Sequence, residues 1–196
     1  MKMQSRIEQI YQEGARLFSR NGFEGTSIRH VANACGISLS AIHYHFTTKE
    51  ELHNEITQFC FETFMERIVA QRKKLPRDQD RPSTLLAIIF DAITEDATLF
   101  NLMLHDLQHL NPDLRRARSW PRHQAVVSLV GDSMRNAWGK QPDEASVVAA
   151  AGLIAGYCEV LQADERSSGP DRDRFISDRR MALIRIIEQT FDRPIC

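Results

Sequence analysis

The apolar positions at the start of the chain follow the 3.6-residue period of an α-helix. Ile7, Ile10, Ala15 and Phe18 fall on one helical face. Asn21-Gly22 is expected to end this helix, because glycine readily takes the left-handed conformation found at helix C-termini. The first predicted element is therefore an amphipathic helix with its apolar face turned inward.

Two short helices and one long helix are predicted next. Thr26-Ser27 offers an N-cap for the second helix, and Gly36 interrupts the pattern. A third short helix is expected from Ser38 or Leu39 to His45, and Thr47 or Thr48 caps a fourth helix that begins near Lys49. Helices this short depend on packing against one another for their stability.

The rest of the chain also has helical periodicity, and no segment alternates like a strand. Proline and glycine mark the expected boundaries. Helices are predicted over Ser83–Glu95, Leu99–Leu110 and Asp171–Phe191, with further starts at Pro112, Pro121 and Pro142. The fold class is therefore all-α, with a three-helix head (residues 1–48) and a larger helical body (residues 49–196).

Composition indicates a globular protein of the cytoplasm. Hydrophobic residues make up 42% of the chain, and the N-terminus shows no apolar leader. The four cysteines are widely separated, which favours free thiols over disulfides or a metal finger. The longest uncharged stretch of the C-terminal part is too short to cross a bilayer, so no membrane association is expected.

Charge is unevenly distributed between head and body. The first 49 residues contain six Lys or Arg and three Asp or Glu, although the whole chain has a net charge of −1. His30, His43 and His45 add hydrogen-bond donors to the head. A basic head on an acidic body is what a small DNA-reading module would show.

The glycine turn between two short helices is the pattern of a helix-turn-helix, whose second helix enters the major groove of DNA. Three segments resemble the head of the TetR (tetracycline-repressor) family of regulators: residues 22–27 (GFEGTS), 31–38 (VANACGIS) and 44–52 (YHFTTKEEL). The resemblance covers about the first 52 residues. It implies a DNA-binding regulator with a dimeric, ligand-binding body.

Candidate DNA contacts follow from position on this head. Ser38, Leu39 and Ser40 open the recognition helix and are expected at base edges, while Arg29 reaches a phosphate or a guanine edge. Backbone phosphates are assigned to Thr26 or Ser27, Tyr44, His45 and Lys49. The family usually has tyrosine where this chain has His43. Either a change of charge at His43 near neutral pH tunes DNA affinity, or the ring only occupies this position and Tyr44 makes the contact.

The resemblance also implies a cavity for an apolar or amphipathic effector in the body. The expected lining is aromatic, Met and His side chains: Phe61, Phe64, Met65, Phe100, Met103, His105, His109, Trp120, Met134 and Trp138. A stripe of this kind is also typical of an ordinary core. His105 and His109, four residues apart, have the spacing of metal ligands, but polar lining or a solvated face is the preferred interpretation, and no metal or cofactor is expected.

Two C-terminal helices have apolar seams that suit a four-helix bundle across a two-fold axis. The seams contain Val147, Ala151, Ile154, Cys158, Leu161, Leu183, Ile187 and Phe191. Packing within one chain explains the same periodicity, so both interpretations stay open.

The sequence thus predicts a ligand-responsive repressor that binds a palindromic operator in double-stranded DNA as a homodimer. An activator of the same fold, or a helical ligand-binding protein without operator binding, are the alternatives. No nucleotide-binding loop and no nucleophile elbow is present in the sequence, so an enzyme is not expected.

Overall fold

The computed structural model describes residues 2–96, 98–99, 101–103, 112–163 and 171–192, and every regular element in these ranges is helical. This confirms the all-α fold class. The elements are α1 (Lys2–Gly25), α2 (Ile28–Ala34), α3 (Leu39–His43), α4 (Lys49–Arg72), a 3₁₀-helix (Arg77–Gln79), α5 (Pro82–Glu95), α6 (Pro112–Trp138), α7 (Glu144–Ala163) and α8 (Asp171–Phe191).

The chain divides into two compact units. The first comprises Met1–Glu66 and Asp96–Arg115, and the second comprises Arg67–Glu95 and Arg116–Cys196. The first unit therefore includes the predicted head together with most of α4. The domain boundary at residue 48 stays a prediction.

A small apolar core holds the first unit together. Its buried members come from all four N-terminal helices: Ile10, Ala15, Phe18, Val31, Ala32, Cys35, Ile42, Phe46, Leu52 and Ile56, with Leu102 from the later segment. Gly14 lies at a close approach of α1 to α4, because a Cβ there would be 2.3 Å from Cδ1 of Ile56. The absence of a side chain at Gly14 lets this core close.

The helix boundaries predicted at Gly22, Pro121 and Pro142 need correction. Gly22 does interrupt α1 with a positive φ of 72°, but helical backbone resumes and continues to Gly25. Pro121 does not start a helix; it lies exposed inside α6, which continues on both sides although proline removes one backbone hydrogen bond. Helix α7 begins after Asp143, not at Pro142, because the Asp143 carboxylate accepts the Ser146 N–H at 2.8 Å.

In the second unit α5 packs against α8, and polar bonds join their ends. The Asp192 carboxylate accepts hydrogen bonds from the Ser83 N–H at 2.9 Å and from the Ser83 hydroxyl. Arg180 pairs with Asp91 at 2.5 Å near the other end of α5. Asp192 therefore caps the first turn of α5 from a position 109 residues further along the chain.

A buried carboxylate joins α4, the 3₁₀-helix and α6 within the second unit. Asp80 accepts two hydrogen bonds from the Arg72 guanidinium, at 2.7 and 2.9 Å, and others from Asn136 at 2.5 Å and Ser133 at 3.3 Å. Burial raises the pKa of Asp80, but these hydrogen bonds and the charge of Arg72 outweigh burial and leave its pKa below the ordinary value. Asp80 is therefore a charged hub in the unit's interior.

Candidate nucleic-acid interface

The turn between α2 and α3 depends on Gly36. Its φ of 63° is in the left-handed region, which glycine enters at little cost. The Gly36 N–H donates to the Asn33 carbonyl at 3.1 Å, and the Ile37 N–H donates to the Ala32 carbonyl at 3.1 Å. Ile37 then packs against the core of the first unit. These bonds fix the direction in which the chain enters α3.

Helix α3 is anchored by one capped end and one buried side chain. The Ser38 hydroxyl accepts the Ala41 N–H at 3.2 Å, and Ile42 is fully buried. Because Ile42 points inward, the opposite face is exposed, with Ser40 and His43 on it and Leu39 half-buried. The helix ends at His43, two residues earlier than predicted.

Tyr44 is a highly exposed side chain at this surface, with 81% of its area accessible. The ring of His45 lies 4.9 Å from the Tyr44 ring in an edge-to-face arrangement, and His45 itself is half-buried. Phe46 follows as a core residue. The exposed phenol ring of Tyr44 therefore packs against the ring of His45.

At the N-terminus of α2, the two candidates for a phosphate contact, Thr26 and Ser27, lie in different environments. Thr26 is 1% exposed, and its hydroxyl donates to the Leu17 carbonyl at 3.2 Å, so this side chain does not reach a phosphate in the described conformation. Ser27 is the half-buried N-cap, and its hydroxyl accepts the His30 N–H at 3.2 Å. Arg29, in the same turn, is exposed.

His30 has a role that sequence reasoning missed. Its Nδ1 accepts the Ser27 N–H at 3.3 Å, which completes a reciprocal capping box. Sequence reasoning counted His30 only as one more donor of the head. The spacing of three residues between Ser27 and His30 was the available signal, but the usual partner at that position is Glu or Gln.

Lys49 lies at the start of α4 and already has two contacts. Its ammonium lies 4.1 Å from the centre of the Phe23 ring and 3.9 Å from a carboxylate oxygen of Glu24. Thr48 is the cap of α4, because its hydroxyl accepts the Glu51 N–H at 3.1 Å. A phosphate contact by Lys49 would therefore compete with Glu24, which is itself largely exposed.

The predicted ligand-lining residues fall into different environments. In the first unit Phe61 is buried, whereas Phe64, Met65 and Met103 are half-buried. Phe100, His105 and His109 lie outside the described residues.

The lining residues predicted in the second unit also differ among themselves. Met134 is fully buried, and Trp120 is 58% exposed with its ring 5.9 Å from that of His123. The Trp138 indole donates to the Phe191 carbonyl at 2.8 Å. Met134 and Trp138 therefore belong to the packing of the second unit, and Trp120 faces solvent.

The seams predicted for dimerisation are largely buried within one chain. Val147, Ala151, Leu183, Ile187 and Phe191 are each at most 8% exposed. For Ile154, Cys158 and Leu161 only the helical backbone is described. Intrachain packing, the alternative left open from periodicity, is what the structure describes for the first five.

A different face of α7 and α8 is apolar and accessible. Val148 and Leu153 on α7 are 44% and 40% exposed, and Met181 and Ile186 on α8 are each 49% exposed.

Other candidate chemistry is limited in the described part of the chain. There, Cys35 and Cys60 are free thiols, and burial followed by the charge of Asp96 raises the pKa of Cys60 to about 11. No group of three or more potential metal ligands occurs among the described residues. Within the same ranges, no helix is both long enough and apolar enough to span a membrane.

Comparison with known proteins assigns the N-terminal segment to a family. Residues 10–56 match the family model described as bacterial regulatory proteins, tetR family. A segment of 50 residues is 42% identical to the uncharacterized HTH-type transcriptional regulator YerO of Bacillus subtilis, covering 26% of this chain and 17% of YerO. The head of the chain is therefore a TetR-family helix-turn-helix domain, and the resemblance noted from the sequence is confirmed.

A second relative is a named repressor. The biofilm operon icaADBC negative transcriptional regulator IcaR of Staphylococcus epidermidis is 27% identical over 59 residues, which cover 30% of this chain and 32% of IcaR. The matched segments thus span less than a third of either relative. The family is one of regulatory proteins, not of enzymes.

Solved structures extend the likeness of fold over nearly the whole chain. The transcriptional regulator FadR from Bacillus subtilis, in complex with stearoyl-CoA, has a TM-score of 0.72 at 12% identity and covers 92% of this chain and 96% of FadR. AibR, in complex with isovaleryl coenzyme A and operator DNA, has a TM-score of 0.60 at 19% identity and covers 95% of this chain and 98% of AibR. At such identities the likeness shows the fold alone.

Proposed function

We propose that the protein is a transcriptional repressor that binds a palindromic operator as a homodimer and releases it when a small molecule binds to the body. The observation that most supports DNA binding is the outer face of α3, where Ser40 and His43 are exposed on a helix fixed by Ser38 and Ile42. A short, rigid helix with polar side chains on its outer face suits a major groove.

The candidate residues of the head have different proposed parts in binding. Leu39 and Ser40 contact base edges, because they lie in the first turn of α3. Ser27, Arg29 and Tyr44 contact the phosphate backbone, together with His43, His45 and Lys49 at the rim. Thr26 is left out of this set because its hydroxyl is committed inside the head.

DNA binding is tested by fluorescence anisotropy with duplexes from upstream of the protein's own gene, and with shuffled duplexes as competitors. Tyr44→Ala should weaken binding to every sequence, and Arg29→Ala should also lower the dependence of affinity on salt by about one unit of slope. Ser40→Ala should change sequence preference instead. Gln12→Ala, an exposed change on α1, is the matched control. Equal affinity for specific and shuffled duplexes would refute operator recognition.

For the dimer, we assign the contact to the exposed apolar face formed by Val148 and Leu153 of α7 and Met181 and Ile186 of α8. Large apolar side chains that are exposed on neighbouring helices are typical of protein–protein interfaces. Ile186→Glu should produce monomers in analytical ultracentrifugation, because it places a charge in the contact. Glu188→Lys, also exposed on α8, should leave the mass unchanged. A monomeric parent protein would overturn this assignment.

For the effector, we propose an amphipathic molecule, and thioesters of coenzyme A are the first class to examine. FadR and AibR, which share this fold, were solved with stearoyl-CoA and isovaleryl coenzyme A. An acyl-CoA that binds should raise thermal stability and reduce DNA affinity, because the ligand must favour one of two states. Acyl-CoAs of several chain lengths should be compared with free coenzyme A. If none changes either quantity, this ligand class is wrong.

A further inference from the structure

The capping box at the start of α2 uses an imidazole as its acceptor. The Ser27 hydroxyl accepts the His30 N–H at 3.2 Å, and Nδ1 of His30 accepts the Ser27 N–H at 3.3 Å. In the usual box a glutamate or glutamine oxygen accepts this second bond. A carboxylate or amide oxygen keeps its accepting role at neutral and mildly acidic pH, whereas a ring nitrogen has it only while unprotonated.

The geometry defines the state of the ring. Because Nδ1 accepts a hydrogen bond, the neutral ring has its proton on Nε2. Protonation would place an N–H where the Ser27 N–H already points, so the two donors would face each other. It would also add a positive charge to the first turn of a helix, where the aligned peptide dipoles disfavour cations. Both effects oppose the hydrogen bond that closes the capping box.

The charged groups of the neighbouring helices have other partners in the described contacts. Helices α1 and α3 pack against α2. On α1, Glu24 pairs with Lys49 of α4, and Arg16 pairs with Glu13. Arg29 precedes His30, and His43 is the titratable group on α3. None of the described hydrogen bonds or ion pairs joins these groups to the His30 ring.

We infer that neutral His30 is a positioning residue of the DNA-binding head, and that mild acid loosens the first turn of α2 and lowers operator affinity. Ser27 and Arg29, both assigned to DNA, belong to this turn, so its fraying displaces two contacts at once. Histidine changes its charge between pH 5 and 8, which places the effect in a physiological range. The effect on affinity rests on the proposed function, whereas the effect on the cap does not.

The test compares the full-length parent with His30→Gln, whose amide oxygen accepts the same bond without titrating. Amide hydrogen exchange in the first turn of α2, corrected for intrinsic rates, should accelerate about two- to tenfold in the parent between pH 7.5 and 5.5, the range expected for one hydrogen bond. His30→Gln should show no such change. Relative to its own value at pH 7.5, operator affinity should fall more in the parent than in His30→Gln.

His43→Gln is the matched control, because it removes another imidazole from the head but leaves the box intact; its α2 exchange profile should follow the parent. Nitrogen chemical shifts of the parent ring should show an unprotonated Nδ1 at pH 7.5. Equal exchange profiles in the parent and His30→Gln, or a protonated Nδ1 at pH 7.5, would overturn the inference. So would a parent affinity that rises on acidification relative to His30→Gln. If no duplex is bound specifically at any pH, the proposed function fails, while the exchange and shift data still decide the role of the cap.

Discussion

The side-chain hydrogen bonds inside the two compact units differ in how far apart in sequence their partners lie. In the first unit, the side-chain bonds that cap α2, α3 and α4 join residues three positions apart, as Ser38 does with Ala41. In the second, Asp80 bonds to Asn136 across 56 positions, and Asp192 bonds to Ser83 across 109. The short-range caps of the head can be predicted from its sequence, whereas the bonds of Asp80 and Asp192 in the body join residues that only folding brings together.

The largest expected effect comes from removing the centre of the head's core. Phe18 is 2% exposed, and its ring lies 5.9 Å from that of Phe23 and 5.0 Å from that of His53. Phe18→Ala should cost about 3–5 kcal/mol of unfolding free energy, because it leaves a cavity. Hydrogen exchange should show the loss in α1–α4 first. Equal loss of protection in α5 and α8 would mean that the two units do not differ in this way.

The corresponding change in the body removes a buried charge partner. The side chains of Arg72 and Asp80 are 13% and 11% exposed. Asp80→Ala should cost about 3 kcal/mol in urea unfolding, because it leaves the Arg72 guanidinium buried and unpaired. Asp132→Ala, which breaks a half-exposed pair with Arg135, should cost less than about 1 kcal/mol. Similar costs for both would show that the Asp80 network contributes nothing beyond a surface pair.

A smaller effect is expected from the long-range cap. Asp192→Ala removes the acceptor for the first turn of α5, and losses of caps are typically about 1–2 kcal/mol. The exchange of the Ser83 amide should accelerate together with the fall in stability. Glu188→Ala, an exposed change on α8, serves as the control. An unchanged Ser83 amide would show that this cap is dispensable.

The smallest effect is confined to acid. Because the folded-state pKa of Asp80 is lowered, its contribution to stability is complete above the pKa of an unfolded aspartate and is lost as pH falls through the folded value. Urea midpoints of the parent and Asp80→Asn should therefore converge as pH falls below about 4. A constant difference from pH 7 to pH 3 would contradict this account.

Much of the head was predictable because its signals are local. Residue type and spacing alone predict the turn at Gly36, the helix cap at Ser27 and the start of α4 at Lys49. Burial of Thr26 was not predictable, since its partner is the backbone carbonyl of Leu17 in α1, nine residues earlier.

The packing partners and polar contacts of the body could not be predicted from the sequence, for a physical reason. Periodicity identifies an apolar stripe but not what covers it, so Val147, Ile187 and Phe191 could not be assigned to one chain or to two. Pro121 misled because a long helix tolerates the loss of one backbone bond. Asp80 and Asp192 have no motif at all, and their importance depends on partners that only the tertiary structure brings near.

The close approach at Gly14 limits how the head can vary. Elsewhere in a helix, alanine in place of glycine gains about 1 kcal/mol of propensity. Here the added methyl group would meet the side chain of Ile56, which is completely buried. Folded variants selected from a library randomised at both positions should therefore have a small residue at 14. A larger residue at 14 should occur only together with a residue smaller than isoleucine at 56. Residue volume at these two sites should covary.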